Sequence, residues 1–333
     1  MNSDKDIQTA VDKIVLYRIN SDSASNKAIC KDFEVKYLPT FAMVNSSGAK
    51  VDRWIGYDKS EFISDLTDAM RDLTPYDEKV TRFTAKPDAK TAAALGRYSA
   101  GMVQYKDAVF YYGKAQQLRA ESTTDYTFAI FQNTAAGVSD KSFAFDDAKN
   151  AANNYIASAQ KTDDGLQNIY TTMIELAKSS DRLEELAKYL EQDLNLTAKS
   201  DKPDMKTEHA NLMVDYAIYV KKDTASAVEY KKATMPDDWT KDPGSINEFA
   251  WWCFTMKTNL VEAEKLARNA IEISKPGKGR SNIYDTLAEI VNAKGNPSEA
   301  AELSNKAAAD DPDNKYFPKQ VTRFQELANA KGK

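Results

Sequence analysis

Apolar positions along this chain follow two different rhythms. Near the front they come in short runs. Ile14-Val15-Leu16-Tyr17 is apolar without a break, with the β-branched and aromatic character of a strand buried on both faces. Asn26 to Val35, with Ile29 and Phe33 one turn apart, predicts a short helix. Tyr37 to Val44 and Lys50 to Gly56 read as two strands, and Asn45-Ser46-Ser47-Gly48 between them predicts an antiparallel hairpin. Asp58 suits a helix cap, with Glu61 three residues on, and Phe62, Leu66, Met70 and Leu73 supply an apolar stripe.

Past Thr74-Pro75-Tyr76-Asp77 and Ala85-Lys86-Pro87-Asp88 the period becomes helical, and strand-like runs cease. The helical pattern also repeats. One unit runs from Ser281 to Pro312, with Leu287-Ala288 in its first helix and Ala300 and Ala307 in its second. A second has Ala250-Trp251, then Leu260, Ala263, Ala267 and Ala270; a third has Leu95-Gly96, Tyr105, Ala108, Tyr112 and Ala115. Ala217 and Ala227 mark a weaker one. Ala227, Ala263 and Ala300 lie 36 and 37 residues apart, and small residues at fixed intervals let paired helices approach closely. Residues 122–195 carry amphipathic helices without such landmarks, read as degenerate pairs, and the tail after Pro318 reads as a capping helix. The expected division is a small domain over 1–73, a linker over 74–87 and a repeat domain over 88–333.

Composition narrows the chemistry. The chain has 333 residues, with 45 Lys and Arg against 50 Asp and Glu, a formal charge of -5, so no positive field favours nucleic acid. No run of 18 apolar residues is present, and membrane insertion is not expected. The start, Met1-Asn2-Ser3-Asp4-Lys5-Asp6, lacks an apolar core of the signal-peptide kind, so the expected compartment is the cytoplasm. Cys30 and Cys253 are far apart, and His209 is the single histidine, read as a surface or capping residue. No catalytic residue, cofactor or metal site is expected. Cys30 reads as a small hydrophobe, and Tyr111-Tyr112, Phe143-Phe145 and Trp251-Trp252 read as packing between helices.

The helical units resemble the tetratricopeptide family, their small residues falling at that family's offsets. This implies a mainly α fold, an α-solenoid of antiparallel helix pairs that holds protein or peptide clients. Some members clamp a C-terminal carboxylate with basic residues; the corresponding faces here carry Glu248, Trp252, Asp285 and Glu289, so no basic clamp is evident. The first 73 residues resemble the second half of a thioredoxin domain. The matching residues are Arg18-Ile19-Asn20-Ser21-Asp22, Leu38-Pro39-Thr40, Gly48 in the hairpin and Trp54-Ile55-Gly56. That resemblance implies a small partial α/β domain with a cis Leu38–Pro39 bond, and a loop at Leu38, Pro39 and Thr40 that offers backbone groups to an extended peptide.

The thioredoxin pattern is broken in one place. The helix before Ile14 survives as a stub near Asp4 to Val11, and the family's Cys-x-x-Cys is absent, so disulfide exchange by that route has no nucleophile. The strand at Ile14–Ile19 also lacks its implied neighbours. Either it pairs directly with the hairpin or the chain is a fragment of a longer product, the preferred reading. The architecture resembles bacterial thioredoxin-family proteins with C-terminal repeats. The expected function is a binding or scaffold module with a non-catalytic thioredoxin-like remnant. The alternative is a fragment of an exported thiol-disulfide oxidoreductase, located outside the cytoplasm, whose cysteine pair lies upstream of Met1. A third reading makes the half-domain a structural cap for the repeats.

Overall fold

A computed structural model describes residues 4–120 and 124–331. Met1–Ser3, part of the polar start read as no signal, and residues 121–123 and 332–333 of the expected repeat domain lie outside the described residues. Contacts group the chain into two compact units, Met1–Arg182 and Leu183–Lys333. Helices dominate both, and the described residues hold one two-stranded sheet.

The first unit opens with α1 (Lys5–Val11) and α2 (Lys27–Asp32), then β1 (Thr40–Val44) and β2 (Lys50–Ile55), then α3 (Lys59–Arg71). The strands form the expected antiparallel hairpin, with Thr40 opposite Ile55 and Phe41 opposite Trp54. Asp58 caps α3 by accepting the Ser60 and Glu61 backbone N–H groups. The Phe41 ring lies 5.7 Å from Trp54 and 4.9 Å from Phe62, and Ile7, Leu66 and Ala69 complete this small core. Helices α4 (Tyr76–Ala85), α5 (Ala89–Gly101), α6 (Tyr105–Leu118), α7 (Thr127–Ser139), α8 (Phe145–Ala157) and α9 (Asp163–Ser179) follow. α5 packs on α6, and α7 on α8, as hairpins.

The second unit contains α10 (Leu183–Thr197), α11 (Pro203–Asp215), a π-helical turn (Tyr216–Lys221), α12 (Thr224–Thr234), α13 (Pro243–Thr255), α14 (Leu260–Ile273), α15 (Lys278–Ala293), α16 (Pro297–Asp310) and α17 (Tyr316–Lys331). α13 pairs with α14, and α15 with α16. Ala227, Ala263 and Ala300 are each 0% exposed, as are Ala270 and Ala307, one hairpin apart. The landmark alanines thus sit where helices touch, and a larger side chain there would have to displace a neighbour.

One connection geometry recurs. After α5, α13 and α15 the chain turns through a left-handed residue: Val103, Lys257 and Gly295. The next N–H reaches back five residues, from Gln104 to Ser99, from Thr258 to Cys253 and from Asn296 to Val291. This Schellman closure satisfies helix-end carbonyls and starts the reversal into the partner helix.

Four front-end details of the structure differ from the sequence expectation. Ile14–Ile19 forms no strand: Val15 is 97% exposed and Tyr17 74%, because the hairpin strands pair with each other and supply no ladder to this run. Tyr37 and Leu38 precede β1 and do not belong to it. The stretch 74–87, expected as a linker, holds α4, which buries Lys79 and Phe83 against β2 and α5. Leu73 ends outside α3 and is half exposed.

Candidate functional site

Of the residues singled out in the sequence for peptide contact, Leu38 and Pro39 lie just before β1 and Thr40 opens it. The Leu38–Pro39 peptide is cis. The Thr40 hydroxyl donates to the Tyr37 carbonyl at 2.6 Å, and the Gly56 N–H donates to the Pro39 carbonyl at 3.0 Å, which ties the loop to the end of β2. Pro39 can donate nothing, so the ladder begins at Thr40. Phe41 turns inward, whereas Tyr37 and Leu38 stay largely exposed. The loop therefore presents apolar side chains on a fixed backbone.

Both cysteines are free. Cys30 is half-buried on α2, and its carbonyl accepts the Val35 N–H. Cys253 is fully buried in α13, and burial pushes its thiol up to about 12, so it holds its proton at neutral pH. No group of three or more His, Cys, Asp or Glu side chains among the described residues could hold a metal ion.

In the second unit, acidic side chains on the first helices of the hairpins already have partners. Glu248 pairs with Lys231 at 2.8 Å, Glu289 with Arg323, and Asp285 accepts the Tyr316 hydroxyl at 3.4 Å. Burial and the neighbouring Glu289 push the Asp285 carboxyl up to about 6. Lys294–Glu264, Arg268–Glu299 and Arg280–Asp310 join other helices, their partners 30 or 31 residues apart. His209 accepts from or donates to Thr197 at 2.9 Å, a local contact.

Sequence patterning missed the charged centre of the first unit. Asp52 and Arg53 on β2 are 1% and 3% exposed, and Lys79 is 1% exposed. Arg97 on α5 donates to both Asp52 oxygens and lies 3.4 Å from Asp65. Arg53 donates to the Gly101 carbonyl at 2.7 Å and to the Glu34 carbonyl at 3.0 Å, and Lys79 donates to the Val51 carbonyl at 3.0 Å. A Cβ at Gly101 would meet the Arg53 carbonyl at 2.8 Å, so glycine is what allows α5 this close to the strand. Adjacent charges in a strand otherwise built for burial, Val51-Asp52-Arg53-Trp54, were the available signal.

No protein-family model matches the chain, and no curated protein matches it. The geometry therefore has to speak for itself. It contains an exposed apolar loop, a buried charge lattice and recurring helical hairpins. No helix among the described residues is long and apolar enough to cross a membrane.

Proposed function

We propose that this chain is a protein-binding or scaffold module of tetratricopeptide type, carrying a non-catalytic thioredoxin-like remnant at its front. The observation that carries this reading is the buried alanine set at Ala227, Ala263 and Ala300, each at the packed side of a helix, one hairpin after another. Hairpins that cannot bury their apolar faces alone stack on neighbours, and the side chains left outside form an extended surface for partners. Leu38, Pro39 and Thr40 form a second contact point for an extended segment. The clients are proteins or peptides, with no cofactor. Thiol–disulfide exchange is not part of this reading, because Cys253 is buried and protonated and Cys30 has no second thiol in its vicinity in sequence.

Two measurements test it. Selection of a displayed random peptide library on the full chain should enrich a family of sequences that bind reversibly, with Kd in the micromolar range, about -8 kcal/mol. Insulin-disulfide reduction by the same preparation should stay at the uncatalysed rate. An unenriched library counts against the binding reading, and catalysed insulin reduction overturns the non-enzymatic one.

A further inference from the structure

A polar cleft of about 480 Å³ opens in the first unit between the start of α3, the first turns of α7, the end of α8 and the start of α9. Its volume lies in the range of small-ligand sites. The floor is aromatic. Tyr155 is 6% exposed, and its ring lies 5.1 Å from that of Phe128. The Tyr155 hydroxyl accepts the Thr162 N–H at 3.0 Å, which fixes it beneath the first turn of α9. Gly165 makes room for it: a Cβ there would fall 2.0 Å from the Tyr155 oxygen. The cleft exists in this form because residue 165 has no side chain.

The polar rim divides into occupied and unoccupied groups. Asp125 is spent, accepting the Thr127 N–H at 2.8 Å and the Ser158 hydroxyl. Among the described residues, the side chains of Glu61, Gln132 and Asn168 have no intramolecular partner, and all three line the cleft. No lysine or arginine lines it, and the carboxylates of Glu61, Asp125 and Asp164 would repel a phosphate or carboxylate ligand. Each carboxamide offers both N–H donors and a carbonyl acceptor, whereas the carboxylate accepts only. A bare cation would use the acceptors and leave the amide donors unmatched. Hydroxyl groups, which donate and accept at once, match the whole set, and the C–H face of a sugar ring suits the aromatic floor.

We propose that this cleft is a binding site for a neutral polyhydroxylated ligand, a mono- or disaccharide, whose hydroxyls bond Gln132, Asn168 and Glu61 and whose ring packs on Phe128 and Tyr155. The site is independent of peptide docking on the hairpins. Saturation-transfer NMR of the full chain against a panel of neutral mono- and disaccharides tests it, with cadaverine and inorganic phosphate as charged probes. At least one saccharide should respond and titrate with Kd below about 1 mM. Gln132→Ala and Asn168→Ala, both at exposed positions, should each weaken it by about tenfold without shifting Tm, and a folded Gly165→Ala should lose it. Silence across the saccharide panel, a saccharide response unchanged in both alanine variants, or a stronger response to cadaverine than to any sugar would overturn the assignment.

Discussion

The α/β front of the first unit and the hairpins of the second unit solve the same problem with opposite materials. In the hairpins, helices meet over residues with almost no side chain: Ala263, Ala267 and Ala270 on α14, Ala300 and Ala307 on α16, all 0% exposed. Charged pairs there, such as Arg268–Glu299, are partly exposed. Such pairs are worth about 0–1 kcal/mol each. At the front, a sheet of two strands is too small to close a core, and long charged side chains reach from β2, α4 and α5 to saturate buried carbonyls and one another. Repetition lets a chain stack small residues. A lone hairpin of strands has to be anchored by specific polar bonds, which tolerate less change.

The sharpest break in that contrast should come from Arg97→Met. It leaves Asp52, 1% exposed, without its cation, and removing one member of a buried pair costs about 3–5 kcal/mol. Urea denaturation should show the loss, and adding Asp52→Leu should restore much of it. A neutral Arg97→Met would mean that the charge lattice does not anchor the front. A smaller effect is expected in the hairpins from Ala300→Leu. Overpacking at this fully buried position should cost about 1–3 kcal/mol, whereas the same change at exposed Glu302 should cost little.

The smallest effect is one of pH. Burial pushes the Asp65 carboxyl up to about 6, with Asp52, Glu61 and Asp68 adding repulsion and Arg97 opposing the rise. The folded chain therefore binds this proton more tightly than the unfolded chain does. Asp65 contributes stability that is present below about pH 4 and fades as pH rises through 6, with on the order of 1 to 2 kcal/mol of it lost between pH 5 and pH 7.5. Comparing the wild type with Asp65→Asn at pH 5 and pH 7.5 isolates it: the variant's advantage should be larger at pH 7.5. An advantage that is equal at both values removes Asp65 from the account.

How far the sequence could be read follows the same divide. The alanine intervals, the Asp58 cap and the 40–55 hairpin were all legible, because each depends on residues close together or on strict recurrence. The Ile14–Ile19 strand was not, because its composition is right for burial but a strand is defined by a partner, and none is there. The turn at Val103 escaped notice because a β-branched residue at φ 62 is a poor signal for a left-handed helix end. Helix α4 was hidden behind Pro75, which reads as a breaker and in fact occupies the position just before the helix. As for candidate sites, Leu38 and Pro39 lie just before the hairpin and Thr40 opens its first strand. The α3–α7–α9 cleft depends on Gly165 meeting Tyr155, a contact that no local pattern announces.

Hydrogen-exchange mass spectrometry of the full chain with and without a selected peptide tests the central claim most directly. Docking on the repeats predicts slowed exchange in the helices between Thr224 and Asp310, with a lesser effect around Leu38 to Thr40. Exchange that is unchanged throughout those helices while the peptide is bound would contradict it.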